Sequence, residues 1–129
     1  MAPPYTLTKL TEVKDSAPGF GLGEIQEARF ANADLEAQDT GLSLHRIKPA
    51  QRQAFGHRHG QAEEVYVVLA GSGRIKLDDD VLEIEPLDAV RVAPGVTRAF
   101  EASADGVDVL AVGPRHEGDG EMVKNWWVD

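Results

Sequence analysis

From Gly41 onward the sequence consists of short apolar segments separated by Gly, Pro and Asp, a pattern that limits the chain to an all-β fold. Apolar and polar residues alternate in Arg74 to Leu77 and in Val81 to Ile84, as expected for a hairpin with one face in water. Eight segments of this kind are typical of a jelly-roll barrel. The predicted strands are 42–48, 53–59, 64–70, 73–78, 81–85, 89–93, 97–102 and 107–112.

Length and composition limit the class of protein. At 129 residues the chain is predicted to form one domain whose hydrophobic core is large enough to stabilise it. It contains no cysteine for a disulfide or a catalytic thiol. The net charge of −9 argues against nucleic acid as a partner, because phosphate contacts need clustered Lys or Arg. The N-terminus lacks an apolar signal region, and no run of about 18 apolar residues occurs. A soluble cytoplasmic protein without a membrane partner is therefore predicted.

The barrel is predicted to occupy residues 41–113, between two flanking segments. Residues 1–40 form an N-terminal extension that packs on the barrel. Within it, Glu24 to Phe30 fits a strand and Asn32 to Gln38 fits one helical turn. Residues 114–129 form a C-terminal tail that contains Trp126-Trp127. This acidic tail lacks the basic residues that anionic lipid attracts, so at least one indole is predicted to pack across the barrel or onto a second subunit.

Two histidines and a carboxylate fall where one hairpin can bring them together. His57 and His59 are two residues apart, so on an extended strand their side chains leave the same face. Glu64 follows the turn-forming residues Gly60-Gln61-Ala62 and begins the next apolar run. Two imidazoles and one carboxylate suit Fe, Mn, Ni, Zn or Cu and leave coordination positions open. His57, His59 and Glu64 are therefore the predicted metal ligands.

The spacing of these residues resembles a known family. His57-x-His59, four residues, Glu64 and then six residues to Gly71 is similar to the first motif of the cupins. Members of this family are small double-stranded β-helix (jelly-roll) barrels, and several hold a metal through two His, a Glu and a third His. The resemblance also favours Glu64 over its neighbour Glu63, because only Glu64 leaves six residues before Gly71.

A second stretch, residues 87–98, is similar to the second cupin motif. The chain departs from that motif at three positions: Leu87 replaces the usual Gly, Arg98 replaces the remaining metal-binding His, and Ala102 replaces the usual Asn. With both motifs in order, the resemblance covers roughly residues 40–112. It implies a small single-domain cupin with the conserved type-2 barrel.

Four residues are predicted to contact a bound small molecule: Arg98, Tyr66, Phe100 and His45. Tyr66 is in phase with Glu64, and Phe100 is in phase with Arg98, so both rings line the cavity or pack in the core. The strand parity of His45 indicates that it faces inward, as a ligand contact or as a fourth metal ligand. The sequence does not identify a catalytic residue.

Two functional hypotheses follow, and Arg98 distinguishes them. In the first, His57, His59 and Glu64 hold Fe(II) or Mn(II), and Arg98 orients a substrate carboxylate for oxygen insertion, isomerisation or decarboxylation. In the second, Arg98 pairs with Glu64, metal is absent, and the barrel binds a small acidic or polar metabolite without catalysis. A third role for Arg98, as a brace between two strands, leaves both hypotheses open.

The chain is also predicted to form a homodimer. The apolar run from Val65 to Leu69 is wide enough to face both the core and a partner, and the two tryptophans offer further apolar surface. The resemblance to cupins, which commonly pair their barrels, implies the same assembly. Symmetric dimers are in addition the commonest oligomers.

Overall fold

In a computed structural model, which describes residues 3–127, eight antiparallel β-strands form one curled sheet. Helical structure in the described residues is limited to one α-helical turn, α1 (Asn32–Leu35), and two 3-10 turns, Leu10–Glu12 and Pro18–Phe20. None of these is long and apolar enough to cross a membrane. The all-β prediction is confirmed. The strands are β1 Gln26–Phe30, β2 Thr40–Ile47, β3 Gly56–His59, β4 Glu64–Leu77, β5 Asp80–Ile84, β6 Ala89–Val92, β7 Arg98–Pro114 and β8 Gly120–Val123.

The two longest strands, β4 and β7, each unite segments that the sequence separates. The prediction of four strands at 64–70, 73–78, 97–102 and 107–112 was wrong, because β4 and β7 pair along their lengths through two irregularities in register. At one of them Gly71 has a φ of 76°, and a Cβ there would collide with the carbonyl oxygen of Gly106. Glycine thus lets the strands bend without ending.

Strand β3 is shorter than the predicted strand 53–59 and begins at Gly56. The residues before it still approach β7, since Gln53 N donates to Phe100 O at 2.9 Å and Ala102 N donates to Gln51 O at 2.8 Å. These isolated bonds bring the chain alongside β7 before the regular strand starts. As a result β3 lies between β7 and β8, with His57 opposite Arg98.

The N-terminal extension adds a strand to the edge of the sheet. β1 pairs with β2, with Gln26 opposite Ile47 and Phe30 opposite Ser43. The helical turn α1 follows, so both expectations for residues 24–38 are confirmed, although the turn ends at Leu35. Residues 1–2 and 128–129, the ends of the predicted extension and tail, lie outside the described residues.

The C-terminal segment also packs on the barrel. It contributes β8, which pairs with β3. Beyond β8, Trp127 Nε1 donates to Gln53 O at 2.8 Å, and Lys76 Nζ lies 4.3 Å from the centroid of the Trp126 ring. The expectation that at least one indole packs across the barrel is therefore confirmed, and both do so.

The core lies inside the curl of the sheet, mainly between β4 and β7. Tyr66 and Phe100 meet there edge to face, with ring centroids 4.9 Å apart. Because alternate residues of these strands point inward, the core and the predicted site share one interior. The buried apolar cluster consists of Ile47, Tyr66, Val68, Ile75, Ile84, Val92, Phe100, Ala102, Val107, Val109 and Ala111.

Candidate metal centre and ligand cleft

Strand β3 and the start of β4 bring the three predicted metal ligands together. The rings of His57 and His59 meet edge to face with centroids 5.5 Å apart. Glu64 Oε1 lies 3.8 Å from His57 Nε2 and 3.9 Å from His59 Nε2. One ligand atom from each residue lies within 4.8 Å of the others. The rival carboxylate, Glu63, is exposed and pairs with Arg91 at 3.3 Å.

The donor set and its spacing fit a divalent metal. Metal bonds of about 2.0–2.2 Å put neighbouring ligand atoms about 3 Å apart. The observed separations of 3.8 and 3.9 Å would therefore close by less than about 1 Å on binding. Imidazole nitrogen and carboxylate oxygen are suitable donors for Fe, Mn, Ni and Zn. Three protein ligands also leave positions open for water or a substrate.

Arg98 is fully buried beside this group. Its Nη2 donates to Glu64 Oε1 at 2.8 Å, its Nη1 to the Val96 carbonyl at 2.9 Å and its Nε to the Tyr66 hydroxyl at 3.0 Å. The Tyr66 hydroxyl lies 3.2 Å from His57 Nε2. Since this hydroxyl accepts from Arg98, its own hydrogen is directed to His57 or Glu64. One network therefore connects the guanidinium, the carboxylate and an imidazole.

Electrostatics keep Glu64 and Arg98 charged and favour the neutral forms of Tyr66 and His59. Burial alone would raise the pKa of Glu64, but its interactions with His57, Tyr66 and Arg98 outweigh burial, so its pKa lies well below the usual value. Burial would lower the pKa of Arg98, yet Tyr66 and Glu64 shift it above its usual value. Burial raises the pKa of the Tyr66 hydroxyl and lowers the pKa of His59. His59 therefore favours the neutral form that metals bind.

The structure adds one residue that the sequence motifs did not indicate, Asp119. Its carboxylate accepts hydrogen bonds from the backbone N–H groups of Gln61 at 2.9 Å and Ala62 at 3.0 Å, and these bonds fix the turn between β3 and β4. Its Oδ2 lies 3.6 Å from His59 Nδ1, the ring nitrogen opposite the one that faces Glu64. Asp119 is 60 residues from His59 in the chain, so only the pairing of β8 with β3 reveals this contact.

His57, His59 and Glu64 form part of the wall of an open cleft of about 880 Å³. Of the four predicted ligand contacts, Tyr66 and His45 line this cleft, whereas Arg98 and Phe100 are buried behind its lining. A direct contact of Arg98 or Phe100 with a ligand stays a prediction. All four histidines of the chain line the cleft, as do three of its four phenylalanines, Phe20, Phe30 and Phe55.

His45 lies in the cleft but outside the group of three ligand atoms. Its Nε2 is 2.9 Å from Ser43 Oγ, and its ring meets Phe30 edge to face at 5.6 Å between centroids. Burial, together with the nearby His57, lowers the pKa of His45 to about 4. The imidazole is therefore neutral at pH 7 and available as a hydrogen-bonding group.

A family model relates the chain to known proteins over most of the barrel. The model of the cupin domain matches residues 43–112, a span that contains the three candidate metal ligands and Arg98. That span is more than half of the chain. No protein of curated function matches the sequence.

Solved structures share the whole architecture at low identity. A cupin protein from Bacteroides fragilis superposes with a TM-score of 0.70 at 20% identity and covers 99% of both chains. The polyketide cyclase RemF from Streptomyces resistomycificus gives 0.75 at 18% identity, over 96% of this chain and 87% of that one. Oxalate decarboxylase from Bacillus subtilis gives 0.75 at 16% identity, over 94% of this chain and 33% of that one. At these identities the likeness shows the fold alone.

Proposed function

The chain belongs to the cupin family, and from this premise we propose that it holds one divalent metal ion through His57, His59 and Glu64 and binds a small molecule beside it. One observation carries the proposal: Glu64 Oε1 lies 3.8 and 3.9 Å from the two imidazole Nε2 atoms. Fe, Mn, Ni and Zn suit this donor set. A bound ion supplies a Lewis acid and open coordination positions.

The surrounding residues act by holding the ligands in place. Arg98 keeps Glu64 ionised, and the carboxylate has about four acceptor directions, so a guanidinium and a metal can share it. Asp119 holds the ring of His59 from its Nδ1 side, as carboxylates do for many metal-bound histidines. These contacts orient the donors before an ion arrives.

Similarity of fold does not select one reaction for this chain. The structures that resemble it include a decarboxylase and a polyketide cyclase, each below 25% identity. We propose that this chain, if it is an enzyme, is an oxygenase, an isomerase or a decarboxylase that acts on a small polar or acidic molecule. The three-ligand centre with open positions is consistent with each of these reaction classes.

A metal-free binding barrel is the second candidate, and the contact of 2.8 Å between Arg98 Nη2 and Glu64 Oε1 favours it. In this case the buried ion pair is complete, and the cleft binds a polar or acidic metabolite without catalysis. A divalent ion about 5 Å from the guanidinium meets a repulsion of several kcal/mol at an effective dielectric near 20. Attraction to Glu64 and bonds to two imidazoles must exceed this repulsion for the first candidate to hold.

The metal content of protein prepared without a His tag distinguishes these candidates. After loading with Mn(II) and dialysis, we expect about one ion per wild-type chain by elemental analysis. Glu64→Gln removes the anionic ligand and is expected to retain less than about a tenth of that metal. His116→Ala, at the cleft but outside the ligand group, serves as the control. Wild-type protein that retains no Mn, Fe, Ni or Zn would support the metal-free barrel.

We also propose that two copies form a homodimer. Leu69, in the apolar run of β4, is 45% exposed, which supports a contact surface on this strand. Trp126 and Trp127 instead pack on their own barrel and give no further support. Sedimentation is expected to give about twice the chain mass of 14.0 kDa, and the mass of one chain would contradict the dimer. The cytoplasmic location stays a prediction.

A further inference from the structure

The walls of the cleft expose more apolar surface than a site for a small polar molecule requires. Phe20 is 77% exposed, Phe30 is 52% exposed and Met122 is 54% exposed, and all three line the cleft. Concave surfaces lined by aromatic side chains are typical of sites that enclose the apolar body of a ligand. A volume of about 880 Å³ accommodates such a body beside the metal ligands.

The aromatic wall comes largely from the N-terminal extension. Phe20 lies in a 3-10 turn, and Phe30 ends β1. Phe30 meets His45 edge to face, so its ring is already held at a defined angle beside a hydrogen-bonding imidazole. The polar groups of the cleft come from the barrel strands, with His57 and His59 on β3 and Glu64 on β4. A ligand in the cleft therefore has within one lining both aromatic rings and the nitrogen and oxygen atoms of the predicted metal ligands.

The lining of the cleft offers few cations to a small anion. Arg115 is the single Lys or Arg among the described residues that line it, against the carboxylates of Glu63, Glu64 and Glu117. The Arg115 guanidinium donates to the Ala37 carbonyl at 2.6 Å. The buried Arg98 is not part of the lining. Glu64 and Glu63 are already paired with Arg98 and Arg91, so Arg115 is the one cation that the described lining presents to a dianion such as oxalate.

We infer that the cleft takes an uncharged, planar aromatic molecule that carries oxygen substituents at one edge. Its ring contacts Phe20 and Phe30, and its oxygens face His57, His59 and the metal position. The placement of the oxygens rests on the proposed metal centre, whereas the contact with the aromatic wall does not. Contacts between aromatic rings favour the planar ring over a saturated ring of equal size, because they add to the contribution that burial makes to both.

Calorimetric titration with naphthalene-2,3-diol, its saturated counterpart decalin-2,3-diol and oxalate tests this inference. Tag-free protein is titrated in a chelator-treated, metal-free form and in a Mn(II)-loaded form. We expect the naphthalenediol to bind the metal-free form roughly tenfold more tightly than the decalindiol. Oxalate is expected to be the weakest of the three in that form. Equal affinities for the two diols, or oxalate as the tightest ligand, would overturn the inference.

Substitutions of Phe20 and Phe30 test whether the aromatic ring of the ligand contacts this wall. Phe20→Ala and Phe30→Ala are each expected to weaken naphthalenediol binding roughly threefold to tenfold in both forms and to weaken decalindiol binding less, because the decalindiol loses only buried apolar area. Leu82→Ala, which removes an exposed apolar side chain outside the cleft, is the control, and thermal unfolding verifies that each variant is folded. Two phenylalanine variants with unchanged affinity would refute the proposed wall. If the wild-type protein does not bind Mn(II) but still prefers the naphthalenediol to the decalindiol, only the proposed metal centre is refuted.

Discussion

The same oxygen atom of Glu64 contacts Arg98 and faces the candidate metal site. Glu64 Oε1 accepts a hydrogen bond from Arg98 Nη2 at 2.8 Å, and it is also the atom that lies 3.8 and 3.9 Å from the two imidazole Nε2 atoms. The cation that replaces the third histidine of the family motif thus pairs with the anionic ligand. This arrangement keeps the carboxylate ionised and places a fixed positive charge beside the proposed metal position.

Arg98→Met is expected to lower the free energy of unfolding by about 3–5 kcal/mol at pH 7, because it removes the cation that pairs with the ionised, largely buried carboxylate of Glu64. Arg91→Met is the matched control, since Arg91 and Glu63 form an exposed pair at 3.3 Å whose loss is expected to cost less than about 1 kcal/mol. Urea unfolding in the presence of a chelator measures the free energy of unfolding of both variants. Similar losses in the two variants would show that the buried pair has no special role.

Arg98→His tests the opposition between the guanidinium and a metal. Removing the cation and adding an imidazole donor both favour the ion, so affinity for Mn(II) is expected to rise at least tenfold, or about 1.4 kcal/mol. Because Arg98 is buried behind the cleft lining, affinity for a small dicarboxylate in the metal-free protein is expected to stay the same. Calorimetric titration of wild type and variant with Mn(II) and with the dicarboxylate measures both affinities. A large loss of dicarboxylate affinity would instead assign Arg98 to substrate recognition.

Asp119→Asn is expected to weaken Mn(II) binding roughly tenfold, because the variant keeps a side chain of the same size but loses the charge beside His59 Nδ1. Glu121→Gln, two residues further along the chain and in the exposed pair with Arg58, is the control. The proton position on His59, read from its ring nitrogen chemical shifts, is expected to change only in Asp119→Asn. Unchanged shifts together with unchanged affinity would limit Asp119 to bracing the turn.

His45 predicts how stability depends on pH. Its pKa is about 4 in the folded protein, below the ordinary value of 6.5, so the folded state binds fewer protons than the unfolded state between these values. Its contribution is complete above pH 6.5 and is lost as the pH falls to 4, by about 3 kcal/mol at most. His45→Gln is expected to remove this part of the pH dependence, whereas the exposed His116→Gln is expected to retain it. Identical profiles for His45→Gln and wild type, from urea unfolding at several pH values, would contradict this.

The parts of the site that the sequence predicts are those fixed by local geometry. His57, His59 and Glu64 lie within eight positions, so strand parity and one turn suffice to bring them together. The motif resemblance put Arg98 at the position of the remaining metal-binding His, and the pairing of β7 with β3, which was not predicted, brings it opposite His57. Asp119 reaches His59 through β8, a strand that no sequence pattern indicated.

The strand boundaries show the same division between local and long-range causes. The separation of 64–70 from 73–78 rested on Gly71 as a turn residue, and its positive φ does occur. The turn is absent because β7 continues to pair across the irregularity and holds the chain in one bent strand. That pairing joins residues 21 to 47 positions apart, from Leu77 with Arg98 to Val65 with Val112, and local propensity does not encode it.

Anomalous diffraction from crystals soaked in Mn(II) tests the central claim most directly. We expect one anomalous peak per chain at bonding distance, about 2.0–2.3 Å, from His57 Nε2, His59 Nε2 and a Glu64 carboxylate oxygen. Arg98 is expected to remain hydrogen-bonded to Glu64 in the same crystals. A peak bonded to other residues, or no peak between these three at saturating Mn(II) with the Arg98 pair intact, would contradict the metal centre.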